Sequence, residues 1–279
     1  MRIKLVTFSD GSYAMRAAGR RLVRQADSTG WFDHPSEHWT LDTLRTKVPD
    51  FYFKNHKFIR DHRKGFGYWI WKPAILSYLL DHLEDDEIVL YLDAGCQLNS
   101  NEDSKLRFQQ YIEICRARDL LVVQLPDDLT DAAWTKRSTL DALDPDKAFR
   151  NTGQIQSTLV FAIKSEKSQR VVEKWLTNCV DSNYSLVVDP SDDDFQNSGF
   201  KDHRHDQSIL SLIVKSEDIT PIEDETWFHP NWEEGYKFPI WALRNRTGGN
   251  VVRRNFLDLI KIFFARVEYR LIRFFKDKH

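Results

Sequence analysis

The sequence predicts an α/β protein, and two observations carry that expectation. Short apolar runs rich in strand-formers alternate with longer amphipathic stretches, and one of those runs ends on a carboxylate. That run is Ile88–Leu92 (IVLYL), of the kind expected in a strand covered on both faces. Asp93-Ala94-Gly95 follows at once. In an open α/β sheet, ligands bind in the crevice beyond the carboxyl ends of the strands. A carboxylate there, followed by a small residue and a glycine, lets a ligand or metal ion approach the backbone closely. Asp93 also fits the plainer role of capping the next turn through its side chain.

Taken in order, Ile3–Phe8 (IKLVTF) predicts the first strand, and Ser9-Asp10-Gly11-Ser12 turns the chain into a helix from about Tyr13 to Gln25. Strand, small polar turn and helix open a nucleotide-binding βα unit, although the Gly-x-Gly-x-x-Gly fingerprint is absent. A second strand is expected around His38–Leu44, and a short helix over Phe51–Arg63. Gly65 and Gly67 then bracket Phe66, ahead of Tyr68-Trp69-Ile70-Trp71-Lys72-Pro73. Pro73 fits the first turn of a helix, where its missing N–H costs nothing. Ile75, Leu76, Leu79, Leu80 and Leu83 share one face of that helix. Lys72 stands beside its N-terminus, a natural place for an anion. Gly67, Trp69 and Lys72 in this setting point to a pocket for a flat, phosphorylated ligand. An aromatic core is the competing reading.

Downstream, Glu102–Arg118 predicts an amphipathic helix and Leu120–Leu125 a buried strand. Residues Pro126–Phe149 are acidic and Pro-punctuated, as in a mobile loop or short helices. Gln156–Ile163 predicts a strand, Glu166–Asn178 a helix, and Asp189–Lys201 a turn-rich loop. The cluster His203-Arg204-His205-Asp206-Gln207 then enters an apolar helix over Ser208–Val214. Asp206 fits an ordinary helix cap there. Arg204 and the two histidines exceed what a cap requires, and His205 suits orienting a carboxylate or titrating near neutrality. Exposed polar loop residues are the alternative for both histidines.

The chain of 279 residues suffices for one large α/β domain or two small ones. Hydrophobic and charged contents of 41% and 29% are those of a soluble globular protein. Nine Trp and eighteen Phe suit a carbohydrate or nucleotide site, though an aromatic-rich core accounts for most of them. Cys96, Cys115 and Cys179 are odd in number and lack metal-ligand spacing, which predicts a reducing, cytoplasmic setting. The start MRIKLVTFSD reaches charge too soon for a secretory signal. No apolar stretch reaches the roughly 18–20 residues that span a bilayer.

The formal charge of −2 conceals an asymmetry, because Arg253–His279 holds eight Lys/Arg against three Asp/Glu. An acidic body with a basic tail excludes general nucleic-acid binding, which wants a broad basic face. In the tail, Phe256, Leu259, Ile260, Phe263, Phe264, Val267, Leu271, Phe274 and Phe275 recur at helical spacing among Lys261, Arg266, Arg270, Arg273 and Lys276. This is the composition of a helix lying on an anionic membrane surface, peripheral to the cytoplasmic face. A helix packed on the domain or on a second subunit is the alternative.

A strand ending YLDAG, preceded by an apolar helix and followed about a hundred residues later by an Asp-Gln helix start, resembles a GT-A-fold glycosyltransferase. The block GFGYWIWKP resembles glycosyltransferases of polysaccharide-biosynthesis loci in bacteria and large viruses. More distantly, the order of motifs is similar to the retaining glycogenin-like group. The resemblance covers roughly residues 1–245. It implies a GT-A-like, Rossmann-type mixed sheet flanked by helices over 1–250, to which the tail's own periodicity adds a basic amphipathic C-terminal helix over 251–279.

The resemblance also implies roles. The turn with Thr7, Ser9 and Tyr13 would hold the base and ribose of a UDP- or GDP-sugar, and Lys72 would face that donor. Asp93, with Ala94 beside it, matches the first carboxylate of an Asp-x-Asp motif that binds donor and divalent metal. Gln156-Ser157-Thr158 would face the transferred sugar, and Asp206-Gln207 would hold it near its reacting carbon. His229 occupies the place of a late metal-binding histidine, so that Asp93 and His229 would carry Mn²⁺ or Mg²⁺. The departure is Gly95, which stands where a second carboxylate is expected. The metal is then dispensable if Lys72 and Arg204 stabilise the leaving diphosphate instead. The implied activity is transfer of a sugar to a glycan or lipid-linked acceptor in surface-polysaccharide synthesis. A non-catalytic nucleotide- or sugar-binding protein on the same fold is the alternative. A weaker rival is a hydrolase pairing Asp93 with Asp206.

Overall fold

The apolar runs assemble into a six-stranded mixed sheet. It is seen in a computed structural model that describes residues 2–191 and 193–249. The amphipathic stretch predicted over 251–279 lies outside the described residues. In chain order the elements are β1 (Ile3–Phe8), α1 (Tyr13–Thr29), β2 (Glu37–Trp39), α2 (Leu41–Lys47), α3 (Pro49–Asp61), the single turn α4 (Gly65–Tyr68) and α5 (Trp71–His82). There follow β3 (Ile88–Leu92), β4 (Gln97–Leu98), α6 (Glu102–Arg118), β5 (Leu120–Gln124), α7 (Asp131–Trp134) and α8 (Arg137–Leu143). The chain continues through β6 (Ile155–Ile163), α9 (Glu166–Val180), α10 (Asp206–Ser216), β7 (Ile222–Glu223) and β8 (Ile240–Trp241).

The sheet runs β2-β1-β3-β6-β5-β7, and β4 pairs with β8 apart from it. β1 is parallel to β2 and β3, whereas β6 runs antiparallel to both β3 and β5. Alternation along the strands divides the core into two. Ile88, Leu90 and Leu92 pack with Leu22 and Ala26 of α1 and Phe108, Tyr111 and Ile112 of α6. Val89 and Tyr91 pack with Ile75 and Leu79 of α5, Val172 and Trp175 of α9, and Ile209 and Ile213 of α10. Each such side chain contributes about 1.5–3 kcal/mol by leaving water, so the sheet is fixed from both faces. Among the described residues, no helix is long and apolar enough to cross a membrane.

Two local outcomes differ from expectation, and a third takes one of two alternatives, the short helices. The strand around His38 stops at Trp39, and α2 begins at Leu41. The Leu41 amide donates to Asp10 Oδ2 at 2.9 Å, and Thr40 Oγ1 accepts from the Thr43 amide at 3.4 Å, so capping ends the strand. The acidic stretch Pro126–Phe149 resolves into α7 and α8, with Thr130 capping the first. Last, Gly65, Phe66, Gly67, Tyr68 and Trp69 all take positive φ, between 53° and 83°, and wind one left-handed turn. Such backbone costs about 1–3 kcal/mol for each non-glycine residue and is characteristic of functional segments.

Candidate functional site

Asp93 leaves the end of β3 where β6, running antiparallel, begins beside it: the Asp93 amide donates to Thr158 O at 2.9 Å. Three elements converge there. α5 supplies Lys72 from its first turn, β6 supplies Ser157, and α10 supplies Asp206 as its first residue. The Lys72 ammonium is buried and donates to Ser157 O and Ser157 Oγ, each at 3.0 Å. It also lies 3.2 Å from Asp93 Oδ1 and 3.4 Å from Asp206 Oδ2. Tyr91 completes the group, its hydroxyl donating to Asp93 Oδ1 at 2.8 Å and its ring lying 5.1 Å below the ammonium.

The electrostatics follow from burial. Burial pushes the Asp206 carboxyl up to about 6, with Lys72 opposing and Asp93 adding to the rise. Burial also opposes the Lys72 charge, but Asp206 and then Asp93 outweigh it, and its pKa rises. Asp206 Oδ2 makes no hydrogen bond although the ammonium is 3.4 Å away. The Asp206 side chain is only 4% exposed, whereas that of Asp93 is 37% exposed. Asp93 is thus the exposed face of the cluster, and Asp206 lies buried on the other side of the ammonium.

The turn after Asp93 is held from below. Arg21, buried in α1, donates through Nη2 to Ala94 O at 2.7 Å and to Cys96 O at 2.6 Å. Beside α10, Gln207 Nε2 donates to Gln154 Oε1 at 2.6 Å, and Gln207 Oε1 accepts from the Ser157 amide at 3.3 Å. Arg204 Nη1 reaches the same Gln154 oxygen at 3.4 Å, and its guanidinium lies 3.7 Å over the Trp134 ring. The structure therefore brings Lys72, Asp93, Asp206, Gln207 and Arg204 into one neighbourhood.

The other sequence candidates stand apart from that cluster. Gln156 points to the opposite face of β6, its amide donating to Thr226 Oγ1 at 3.1 Å, so Ser157 is the residue of that triplet that meets Lys72. Thr7 and Ser9 are buried at the end of β1, and Ser9 Oγ donates to Met15 O at 2.7 Å. Tyr13 opens α1 and is 81% exposed. Gly67 and Trp69 belong to the left-handed turn, where the Trp69 ring centroid lies 5.7 Å from that of His205. Ser157 entered the sequence reading only as the middle residue of Gln156-Ser157-Thr158, and Tyr91, Arg21 and Arg244 were not singled out. Only a polar residue inside an apolar strand or helix face marks the first three.

The residues present do not fit a divalent ion. The Lys72 ammonium already holds the cation position against Asp93 Oδ1. A Cβ at Gly95 would lie 3.1 Å from the Arg244 Cα, so a second carboxylate there would need that backbone to shift by a few tenths of an ångström. His229 is exposed and stacks on Trp227 with centroids 5.8 Å apart. Among the described residues, no group of three or more His, Cys, Asp or Glu side chains is placed to hold a metal.

No family model and no curated protein matches the chain. Solved structures do resemble it. Mouse xyloside xylosyltransferase 1, in its apo form, superposes with a TM-score of 0.46 at 10% identity, over 91% of this chain and 100% of that one. A glycosyltransferase involved in glycosylation of the major capsid of PBCV-1 gives 0.43 at 8% identity, over 86% and 92%. The galactosyltransferase LgtC, in complex with donor and acceptor sugar analogues, gives 0.42 at 12% identity, over 89% and 84%.

Proposed function

We propose that the protein is a glycosyltransferase that moves a sugar from a UDP- or GDP-sugar to a glycan or lipid-linked acceptor in surface-polysaccharide synthesis. One observation carries the reading. Asp93 sits half-open at the carboxyl end of a parallel-paired strand, where α/β sheets bind ligands, and is locked from behind by Lys72 and Tyr91. The sequence resemblance of GFGYWIWKP and YLDAG supports the same reading. In the transfer, the C1–O bond to the diphosphate breaks and its electron pair leaves with the diphosphate. An acceptor hydroxyl oxygen bonds to C1, and its proton passes to the departing phosphate oxygen. Asp93 contacts the sugar and orients C1. Lys72 and Asp206 are positioning residues that fix the Asp93 carboxylate, so that little reorganisation remains at the moment of reaction.

A hydrolytic pairing of Asp93 with Asp206 is disfavoured, because one buried ammonium bridges the two carboxylates and leaves no space for a glycosidic bond between them. The test is release of nucleoside diphosphate from a panel of UDP- and GDP-sugars, with and without acceptor glycans. Asp93→Asn is expected to lower turnover about a hundredfold or more while leaving the fold intact, as a cooperative melt would show. Wild-type turnover in that variant overturns the assignment. Binding of nucleotide-sugars with no turnover on any acceptor supports a non-catalytic binding protein instead.

A further inference from the structure

Between β7 and β8 the chain carries an aromatic run that the transfer chemistry leaves unused: Trp227, Phe228, His229, Trp232, Tyr236 and Phe238. Part of it is packing. Phe228 stacks on Phe238 with ring centroids 5.3 Å apart, Trp241 Nε1 donates to Gly235 O at 2.9 Å, and a Cβ at Gly235 would strike the Phe228 ring. The rest faces water. Trp227 is 44% exposed and His229 is exposed as well. Their rings lie within 24° of parallel with centroids 5.8 Å apart, too far for full overlap, so they sit offset and form one ledge. Trp232 braces Trp227 edge-on, with centroids 5.5 Å apart and planes at 80°, and itself meets the buried Trp241 ring at 6.2 Å. The ledge is fixed beside Asp93. The Asn245 amide donates to Gly95 O at 2.9 Å, and the preceding Arg244, exposed, lays its guanidinium 5.6 Å over the Trp227 ring. On the other side, Gln156 donates to Thr226 Oγ1 at 3.1 Å, which ties the residue before Trp227 to the neighbour of Ser157.

Aromatic surface left in water is unfavourable, and a braced patch of it beside a site marks a surface that a ligand covers. A pyranose ring offers what this ledge lacks: one C–H face that lies on an aromatic ring, and a rim of hydroxyls that a guanidinium and an imidazole can bond. An acyl chain or an apolar peptide would want a broad apolar groove, whereas the rim here is Arg244, Asn231, Glu233 and Lys237, all exposed. We infer that Trp227 and His229, with Arg244 at their edge, form the subsite for the acceptor saccharide and present it to the Asp93 side of the site. That the saccharide is the acceptor rests on the glycosyltransferase reading; that the ledge takes a saccharide rests on its own geometry. His229, which the resemblance implied as a metal ligand, serves here through its ring.

The experiment is saturation-transfer NMR on the full chain with methyl glycosides and disaccharides of glucose, galactose, mannose, N-acetylglucosamine and glucuronic acid. Wild type is expected to pass saturation to the ring C–H protons of at least one of them. Trp227→Ala should weaken that binding about tenfold, and His229→Ala should weaken it less. Trp227→Phe keeps a flat ring and should retain most of the affinity, which separates loss of the ring from loss of the fold. Phe53→Ala, an exposed aromatic on α3, is the control and should change nothing. No saturation transfer to any of these sugars, or transfer that survives Trp227→Ala, overturns the ledge. Sedimentation with phosphatidylcholine vesicles that depends on Trp227, in place of sugar binding, assigns the surface to a membrane and overturns it too. Where a nucleotide-sugar is turned over, Trp227→Ala should raise the acceptor KM more than it lowers kcat; an unchanged KM overturns the acceptor assignment and leaves the transferase reading. Saccharide bound through Trp227 with no turnover of any nucleotide-sugar keeps the ledge and removes the transferase reading.

Discussion

At the scale of single residues, Lys72 is the residue on which the site depends. It is one ammonium against two carboxylates, almost without water. Lys72→Met leaves Asp93 and Asp206 facing each other unpaired, which is expected to cost about 3–5 kcal/mol of stability. Asp206→Asn is expected to cost less. Burial raises the Asp206 carboxyl to about 6, so its ionised form is disfavoured in the fold, but the same carboxylate is the largest charge holding the Lys72 ammonium. The substitution removes a disfavoured charge and a counter-charge together, so it should destabilise less than Lys72→Met while impairing turnover. Urea denaturation of both variants at pH 7.5 ranks them. A stabilised Lys72→Met, or an Asp206→Asn that costs as much, contradicts this account of the cluster.

At the scale of elements, the start of α10 is tied to the segment before it by a histidine that is neutral for a structural reason. His205 donates from Nδ1 to Val187 O at 2.7 Å and stacks on Tyr68 with centroids 4.4 Å apart. Its Nε2 is buried without a hydrogen bond, 3.5 Å from Asp189 Oδ1, and Asp189 also takes the Tyr68 hydroxyl and the Lys64 ammonium. Burial lowers the His205 pKa from 6.5 to about 4; Lys64 adds to the fall, while the bond to Val187 and the nearby Asp189 and Asp202 oppose it. His203, also buried, is lowered in the same direction. The unfolded chain therefore takes up a proton that the fold refuses, and stability falls as pH drops from about 6.5 to about 4. His205 accounts for about 3 kcal/mol of that loss. Denaturant melts from pH 7.5 to 4 should show a flatter profile in His205→Asn, which removes the titrating ring. An unchanged profile assigns the acid sensitivity to other groups.

At the scale of the whole molecule, the sequence also supports a membrane-facing role for 251–279, which lies outside the described residues. Deleting the chain after Val252 is expected to abolish sedimentation with anionic liposomes at low salt and to leave nucleoside diphosphate binding intact, each basic residue contributing about 1 kcal/mol at such a surface. A truncation that unfolds, or full-length protein that ignores the liposomes, favours a tail packed on protein.

The sequence by itself determined the sheet's central strands. β3 begins and ends where its apolar run does, because a strand covered on both faces must be apolar throughout, and that requirement is local; β1 keeps its expected bounds although Lys4 and Thr7 interrupt its run. Asp93 was legible for the same reason, as the first polar residue after such a run. β4, β7 and β8, of two residues each, are too short to carry a period, and only pairing defines them. Tertiary structure alone decided that Lys72 turns inward to Ser157 and the two carboxylates, that Ser157 and not Gln156 faces it, and that Arg244 lies against Gly95. Each of these depends on which strand lies beside which and in what direction. A change of strand neighbour moves a charge by about 5 Å, far enough to make or break an ion pair, and nothing in the local sequence records that choice.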